Sequence, residues 1–584
     1  MRIAGVVTVF AAVVWLCAFK VADFDFWWHI KAGEIMWQTH DLIRIDPFAY
    51  TRAGMPYLAT HEWLAQIILF LFWNAGGATG VILLRTLIVL AIAGLLLSRN
   101  IRDIWLIAPL TVLAVALALP GFVDRPQLFT FLLFTASFVL ALRYLDLDAS
   151  SSTRTRPSAS LRVNSGVLWM LVGLEILWVN LHGAAAVMGL IIFGALFFQR
   201  LITLRTLRSS EIRFLLVAGV CMVAALLVSP SGTGNIAYLW SLLNDKTVGF
   251  ISEWAPRPAG FYLRDLTVLW LLAIGSILAT RRHVFFAVST LLVFGILSRI
   301  AFRHEMLFIF AATAITLEEL RWNPRFHRWT ERLYGRPAYA AAAIIILFCG
   351  AVLAGAGKST IMAHTWELRG YGTLEPAKGA VDFLDRTGVQ GHIFNYDWGG
   401  YISFRDYPDR PVFYDGRNVD FGYAFMRAAL DAAQSPEAWQ TLEDRYDLTY
   451  ALFYYDPFTD IQPFPYIGHL EKNPQWALVY LDDWMAVYLK NTEANRAIID
   501  QYRFTVLTPE GLEFGTVLDQ LSPERIAALE RELLRIMNGS EGSFKAHVVL
   551  ANLYGLGNLP RDRANVLQDI RRRWPKRYKT LEIR

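Results

Sequence analysis

Lys20-Val21-Ala22-Asp23-Phe24-Asp25-Phe26-Trp27-Trp28-His29 follows directly on the apolar run Ile3–Ala18. Two carboxylates, two residues apart and set among aromatic rings, stand where a hydrophobic helix ends. Acids at a membrane surface are costly unless they meet a cation, take a proton or reach water. A carboxylate pair with a nearby histidine can hold a divalent cation through Asp23 and His29. One carboxylate can instead deprotonate a hydroxyl. An interfacial tryptophan belt with solvated acids is the third reading of the same residues.

The run behind this stretch opens with Met1-Arg2 and has no small-x-small cleavage site. Lys20 precedes the only plausible cut, after Ala22, and no lipobox precedes Cys17. It reads as an uncleaved signal-anchor helix with a cytoplasmic N-terminus. Further runs of spanning character follow, from Thr79–Leu97 through Ala338–Ala354, for about eleven in all. Basic loops recur after every second run: Arg99 and Arg102, then Arg143 to Arg162, Arg200 to Arg213, Arg281-Arg282, and Arg321 to Arg336. The positive-inside rule puts these on one, cytoplasmic, side. Counting Glu62–Ala75 as a span would flip every later loop, so it reads as an interfacial helix on the outer face. Two long loops, about 21–78 and 230–265, and everything past Gly355 then lie outside.

Composition agrees. Of 584 residues, 55% are hydrophobic and 18% charged, with 20 Trp and 38 Phe, against the quarter or so charged in soluble domains. A disordered chain, a disulfide-stapled module and an ordinary cytosolic enzyme are excluded. Cys17, Cys221 and Cys349 sit in apolar runs without metal-ligand spacing. A net charge of +5 over this length argues against a nucleic-acid partner.

Past Lys358 apolar stretches become short and alternating. Val412–Tyr414, Ala451–Tyr454, Ala477–Tyr480 and Trp484–Leu489 read as strands, with a turn at Asp482-Asp483. Ala377–Thr387 and Pro436–Tyr446 read as helices. From about Ser522 the chain is helical and charged, and Ala546–Tyr554 with Pro560–Trp574 resembles one tetratricopeptide-like hairpin. One such unit cannot bury its own apolar face, so it must lean on the preceding domain or a partner. The expected division is a transmembrane domain over 1–356, an extracytoplasmic α/β domain over 357–503 and a helical tail over 504–584.

Other candidate groups share the outer side. Trp28 and Lys31 follow the acidic pair on a short helix and are candidate substrate contacts. His61 and Glu62 are candidate metal or substrate contacts, or simply the first turn of the interfacial helix. Asp124-Arg125-Pro126-Gln127, Asn180-Leu181-His182-Gly183, and Arg299 with Arg303-His304-Glu305 punctuate later outer helix ends. Arginine suits a phosphate through its fork, although a lone arginine at a helix end commonly snorkels. Glu253, in Ser252-Glu253-Trp254, is a further candidate. In the tail, Asn395–Tyr401 and Tyr414-Asp415-Gly416-Arg417 read as a carbohydrate surface or, preferably, as domain core.

Asp23-x-Asp25 after the first helix, a short helix after Trp28, and a second from Glu62 running into a span with Arg85 together resemble the GT-C superfamily of polytopic glycosyltransferases. Those include protein mannosyltransferases, oligosaccharyltransferases and bacterial aminoarabinose transferases. With Arg-Pro-Gln at Arg125 and Asn-x-His-Gly at Asn180, the chain is similar to a bacterial branch carrying an outer tail. The resemblance implies a polytopic helical membrane enzyme of the bacterial inner membrane with a lipid-phosphate-linked sugar donor. It implies Asp25 as the catalytic acid, with Asp23 next, and transfer with inversion to an acceptor glycan, lipid or protein. Arg125, Arg299 or Arg303 would meet the donor phosphate, with His182, His304 and Glu253 lining the site. A divalent ion, Mg or Mn, would be held among Asp23, His29, His61 and Glu62. The competing readings are a surface-polysaccharide polymerase or ligase, and a non-catalytic transporter or scaffold.

Overall fold

The computed structural model describes residues 2–147, 157–328, 368–455, 464–519, 522–539, 542–579 and 581. The last apolar run, Ala338–Ala354, and the loop arginines Arg154, Arg156 and Arg336 lie outside them. Two compact units emerge: Met1–Arg44 with Tyr57–Leu374, and Ile45–Pro56 with Glu375–Arg584. The division therefore falls at 374/375. The helical tail joins the α/β domain, and a piece of the first long loop joins them both.

The first unit is a polytopic helical membrane fold. Helix α1 (Arg2–Cys17) leads through a short bridged segment, Phe19 to Arg369 and Val21 to Thr373, into α2 (Phe26–Thr39). Helix α3 (Trp63–Leu97) is two helices joined at a break. Gly76 is non-helical and Gly77 takes φ +54° and ψ −141°, a backbone state open to glycine. A Cβ on Gly80 would fall 2.0 Å from the Phe72 carbonyl oxygen, so the chain folds back tightly there. The first half of α3 packs on α2 through Gly33, where a Cβ would lie 2.1 Å from the Gln66 carbonyl oxygen.

The remaining helices of this unit are α4 (Ile104–Ala118), α5 (Gln127–Leu147), α6 (Pro157–Leu181), α7 (Val187–Leu204), α8 (Ser210–Ala225), α9 (Gly234–Asn244), α10 (Ala259–Thr280), α11 (Val284–Ile300) and α12 (Glu305–Arg321). Among the described residues Leu58–Leu97, Gln127–Asp146, Gly183–Leu204 and Ala259–Thr280 are long and apolar enough to cross a membrane, and Ile3–Cys17, Ile107–Gly121, Ser165–Leu181 and Val284–Ile300 are shorter apolar helices. Helix α12 is buried on every side from Glu305 to Glu319, as expected of a central helix. Hydroxyls in these apolar helices satisfy themselves locally: Thr111, Thr135, Thr290 and Thr316 each donate to the carbonyl four residues back. At one end of the bundle Asp146 gathers Arg99 at 2.6 Å, Arg321 at 3.1 Å and Arg282 at 3.4 Å, while Arg99 also pairs with Glu318.

The second unit is built on a four-stranded mixed sheet of order β1-β2-β4-β3. The strands are β1 (His392–Asn395), β2 (Leu448–Tyr454), β3 (Trp476–Leu481) and β4 (Met485–Lys490); only β1 and β2 run parallel. Three of the four expected strands are present. The fourth expectation, Val412–Tyr414, is not a sheet strand: Val412 makes only an isolated bridge with Ala49. The four-residue β1 was missed because so short a segment carries no period. Asp482 makes the β3–β4 turn, its Oδ1 accepting the N–H groups of Trp484 at 2.8 Å and Met485 at 2.7 Å. Helices at Lys378–Thr387 and Pro436–Tyr446 fall where expected. The tail helices Pro523–Met537, Phe544–Leu556 and Pro560–Arg573 are present too. They lean on the α/β domain through Asp483, which accepts from the Phe544 and Lys545 N–H groups, and within the tail Glu532 accepts from the Thr505 and Leu507 N–H groups.

The Ile45–Pro56 excursion is a small hairpin, closed by Asp46 N–H donating to the Met55 carbonyl at 2.9 Å. Its Tyr50 ring stacks on His392 at 4.5 Å and its hydroxyl donates to the Ile393 carbonyl. Asp46 meets Arg52 at 2.9 Å and the buried Arg417 at 2.8 Å. Arg417 also pairs with Asp415 at 2.6 Å and Asp420 at 3.3 Å. A buried guanidinium is tolerated on such terms, with every donor matched to an acid.

Candidate active site

Asp23 and Asp25 do different work at the start of α2. Asp23 Oδ1 accepts the backbone N–H groups of Asp25 at 2.8 Å and Phe26 at 3.2 Å, satisfying donors the helix start leaves open. Asp25 sits one turn before Trp28, and residues three apart share a helix face. The Trp28 indole therefore donates to Asp25 Oδ1 at 3.2 Å.

Both acids turn their Oδ2 toward one guanidinium. Arg125 approaches Asp23 at 2.7 Å, Asp25 at 2.9 Å and Glu253 at 3.5 Å. Arg125 stands in the turn between α4 and α5, fixed by its N–H to the Val123 carbonyl at 2.8 Å. Its neighbour Asp124 points away and pairs with Arg85 at 2.7 Å. Arg85 is fully buried and also donates to the Cys17 and Phe19 carbonyls, tying α3 to the end of α1. The sequence does not announce the Asp124–Arg85 pair, since a helix-end acid and a mid-helix arginine give no local sign of meeting.

Glu253 links this group to Arg303, 3.9 Å away, whose guanidinium stacks over Trp254 at 4.4 Å. His304 meets the edge of the same indole. A second nest surrounds Glu62: His182 at 3.4 Å, His61 at 3.7 Å and His29 at 3.8 Å. The His182 Nδ1 is 2.7 Å from the Thr130 hydroxyl, which accepts from the Trp178 indole at 3.0 Å. Thr130 and Trp178 were not anticipated, since both are unremarkable letters inside apolar runs.

The electrostatics follow from burial. Burial pushes the Asp25 carboxyl up to about 7, against the pull of Arg125. Burial also works against ionised Glu253, but Arg303 and Arg125 outweigh it and hold that carboxyl below its usual range. Burial opposes the Arg125 charge, and Asp23, Asp25 and Glu253 outweigh it, keeping the guanidinium protonated. Burial and Arg303 push His182 well down and His304 to about 4, so both rings are neutral near pH 7.

Not every expected residue joins. Lys31 pairs with Glu34 at 2.8 Å along α2. Arg299 is exposed and donates to the Arg257 carbonyl, beside a separate Arg257–Asp265–Glu305 cluster. Arg125, read as a phosphate ligand, is committed to acids. The four side chains expected to share a metal divide between two places, Asp23 at Arg125 and the histidines around Glu62. Among the described residues no group of three or more His, Cys, Asp or Glu side chains is arranged to hold a metal ion. The residues present therefore do not fit the expected divalent ion. In the second unit, Asn395 bonds the Tyr414 carbonyl and the Phe413 N–H, and Tyr396 stacks on Tyr414. With Arg417 these residues form domain core. Beside the Glu62 nest, a mostly apolar groove of about 630 Å³ is lined by Trp63, Leu64, Ile176, Leu177, Asn180 and Leu227. The Trp63 indole donates to Asn180 at 3.0 Å across it.

No protein-family model and no curated protein matches the chain. Solved structures do. The archaeal oligosaccharyltransferase AglB from Archaeoglobus fulgidus, in complex with an inhibitory peptide and a dolichol-phosphate, superposes with a TM-score of 0.57 at 11% identity, covering 95% of this chain and 86% of that one. The chain has the fold of that oligosaccharyltransferase structure. A second GT-C structure, the Archaeoglobus fulgidus oligosaccharyltransferase with Zn and sulfate, matches with a TM-score of 0.50 at 12% identity over 94% of this chain and 85% of that one. ArnT from Cupriavidus metallidurans, bound to undecaprenyl phosphate, matches at 15% identity over 84% of this chain and 98% of that one, with a TM-score of 0.47. At 11% and 12% identity the likeness to the two oligosaccharyltransferase structures shows the fold alone.

Proposed function

We propose that this chain is an integral membrane glycosyltransferase that moves a sugar from a polyprenyl-phosphate donor to an acceptor hydroxyl on the extracytoplasmic side of the bacterial inner membrane. One observation carries it. A buried carboxylate of raised pKa, Asp25, is oriented by Arg125 and Trp28 and linked through Glu253 to a second guanidinium, Arg303, whose only close acid is that same Glu253 among the described ion pairs.

The chemistry follows from these groups. Asp25 takes the proton of the acceptor hydroxyl as its oxygen attacks the anomeric carbon. The bond from that carbon to the phosphate oxygen breaks, and polyprenyl phosphate leaves with an added negative charge. Arg303 meets that charge, its guanidinium held flat against Trp254. Attack opposite the leaving group inverts the anomeric centre. The apolar groove beside Trp63 suits the first isoprene units of the donor, and Glu62 with its histidines lines the approach to it. A surface-polysaccharide polymerase or ligase would use the same groups on a glycan acceptor. That the oligosaccharyltransferase AglB, of like fold, is in complex with a dolichol-phosphate supports the donor class.

The test is release of free polyprenyl phosphate from a labelled polyprenyl-phosphate sugar by the purified protein in detergent. Release that depends on Asp25 is the expected result. Movement of intact donor across vesicles without any release would replace the transferase with a transporter.

A further inference from the structure

We infer that Arg125 occupies the place a divalent cation would take among these acids, so that the site carries its own permanent cation. This rests on the transferase reading for its meaning, but not for its test. Asp23, Asp25 and Glu253 come from two separate loops and converge on one guanidinium; with Arg125 between them they are not arranged to hold a metal ion, although carboxylate oxygens are the ligands that Mg or Mn takes. The terminal nitrogens of Arg125 lie at hydrogen-bond distance from Asp23 and Asp25 and within ion-pair distance of Glu253.

The guanidinium is held from behind as well. The Arg125 backbone N–H is bonded to Val123, Pro126 follows, and Asp124 is locked to the buried Arg85. It cannot dissociate as a bound ion can. Three carboxylates with two guanidiniums, Arg125 and Arg303, leave one net negative charge when all are ionised. The acids are thus neutralised to within one charge by the fold itself.

Arg125 is a positioning residue on this account. It fixes Asp25 through Oδ2 and leaves Oδ1, shared only with the Trp28 indole among the described hydrogen bonds, to face an acceptor. Unlike a metal, it supplies directed hydrogen bonds and no Lewis acidity.

The experiment titrates Mn(II) into the full-length, EDTA-treated protein in detergent and follows the free-ion signal by electron paramagnetic resonance. The wild type should remove no stoichiometric Mn(II) from solution. Arg125→Ser, which keeps Asp23, Asp25 and Glu253, should remove one ion per chain, and Arg125→Ser with Asp25→Asn should lose it again. Stoichiometric Mn(II) on the wild type, abolished by Asp25→Asn, would overturn the inference. So would a folded Arg125→Ser protein that binds none, because the three acids would then not form a cation site. If that variant does not fold, the wild-type titration decides alone. Polyprenyl phosphate release, read separately and expected to survive EDTA, reports on the transferase reading, so the two can fail independently.

Discussion

Replacing Asp25 by Asn keeps the side chain's shape and its hydrogen bond from Trp28, and removes its capacity to take a proton. A lost general base costs about 10²–10⁴-fold, or about 3–5 kcal/mol of barrier. Asp23→Asn leaves the base in place and takes one of three acids from Arg125. Its cost should be nearer tenfold, on the order of one charge-assisted hydrogen bond. The ratio between the two variants is therefore diagnostic. It is read as initial rates of polyprenyl phosphate release, with thermal unfolding in detergent confirming that both proteins are folded. The same assay across pH adds a sign. Only ionised Asp25 accepts a proton, and burial has raised its pKa to about 7. The rate should therefore fall about tenfold per pH unit below that value and level off above it. Asp23, Arg125 and Glu253 face this carboxyl, so Glu253→Gln, which removes a like charge, should move the acid limb to lower pH. Wild-type turnover in Asp25→Asn, or a rate that stays flat through the whole acid limb, would remove Asp25 from the role of base.

Arg303→Ala should weaken donor binding by roughly 10–100-fold, the scale of a lost charged hydrogen bond, measured as inhibition by free polyprenyl phosphate; unchanged inhibition would move the phosphate elsewhere. Gly33→Ala should destabilise the first unit by about 1–3 kcal/mol, because a Cβ there meets the Gln66 carbonyl at 2.1 Å; an unshifted unfolding temperature would mean that α2 and α3 can part without cost. Arg417→Ala strands Asp46, Asp415 and Asp420 and should cost about 3–5 kcal/mol, seen as tryptic cleavage at Arg52, which the wild type should resist.

Much of the first unit can be read directly from the residues. The Asp23–Trp28 turn is local, so its capping and its i,i+3 indole contact follow from spacing alone. The Glu62 helix breaking into a spanning helix is written in Gly76-Gly77 and the apolar run beyond. Other contacts are absent from any local pattern. Arg125 looked like a phosphate ligand because an arginine at a helix end carries no mark of the acids it will meet, one hundred residues earlier and more than one hundred later. Arg85 with Asp124, and Thr130 with His182, pair across different helices for the same reason. The four expected metal ligands show the same limit of local pattern. Four suitable letters lie in one loop, but α2 turns Asp23 toward Arg125 while His29, His61 and Glu62 face the other nest. By sequence the Ile45–Pro56 hairpin reads as part of the first long outer loop, because chain neighbours normally stay together. Its Tyr50, Thr51 and Asp46 bond instead to the last third of the sequence.

That hairpin sets a schedule for biosynthesis. Asp46 and Arg417 are 371 positions apart. At about 5–20 residues per second a ribosome needs roughly 20–75 s to bring the second after the first. Throughout that interval all the helices of the first unit are made and inserted while the hairpin has nothing to dock on. A chain stopped short of the C-terminal sheet leaves Asp46 without the guanidinium that neutralises it in the finished molecule.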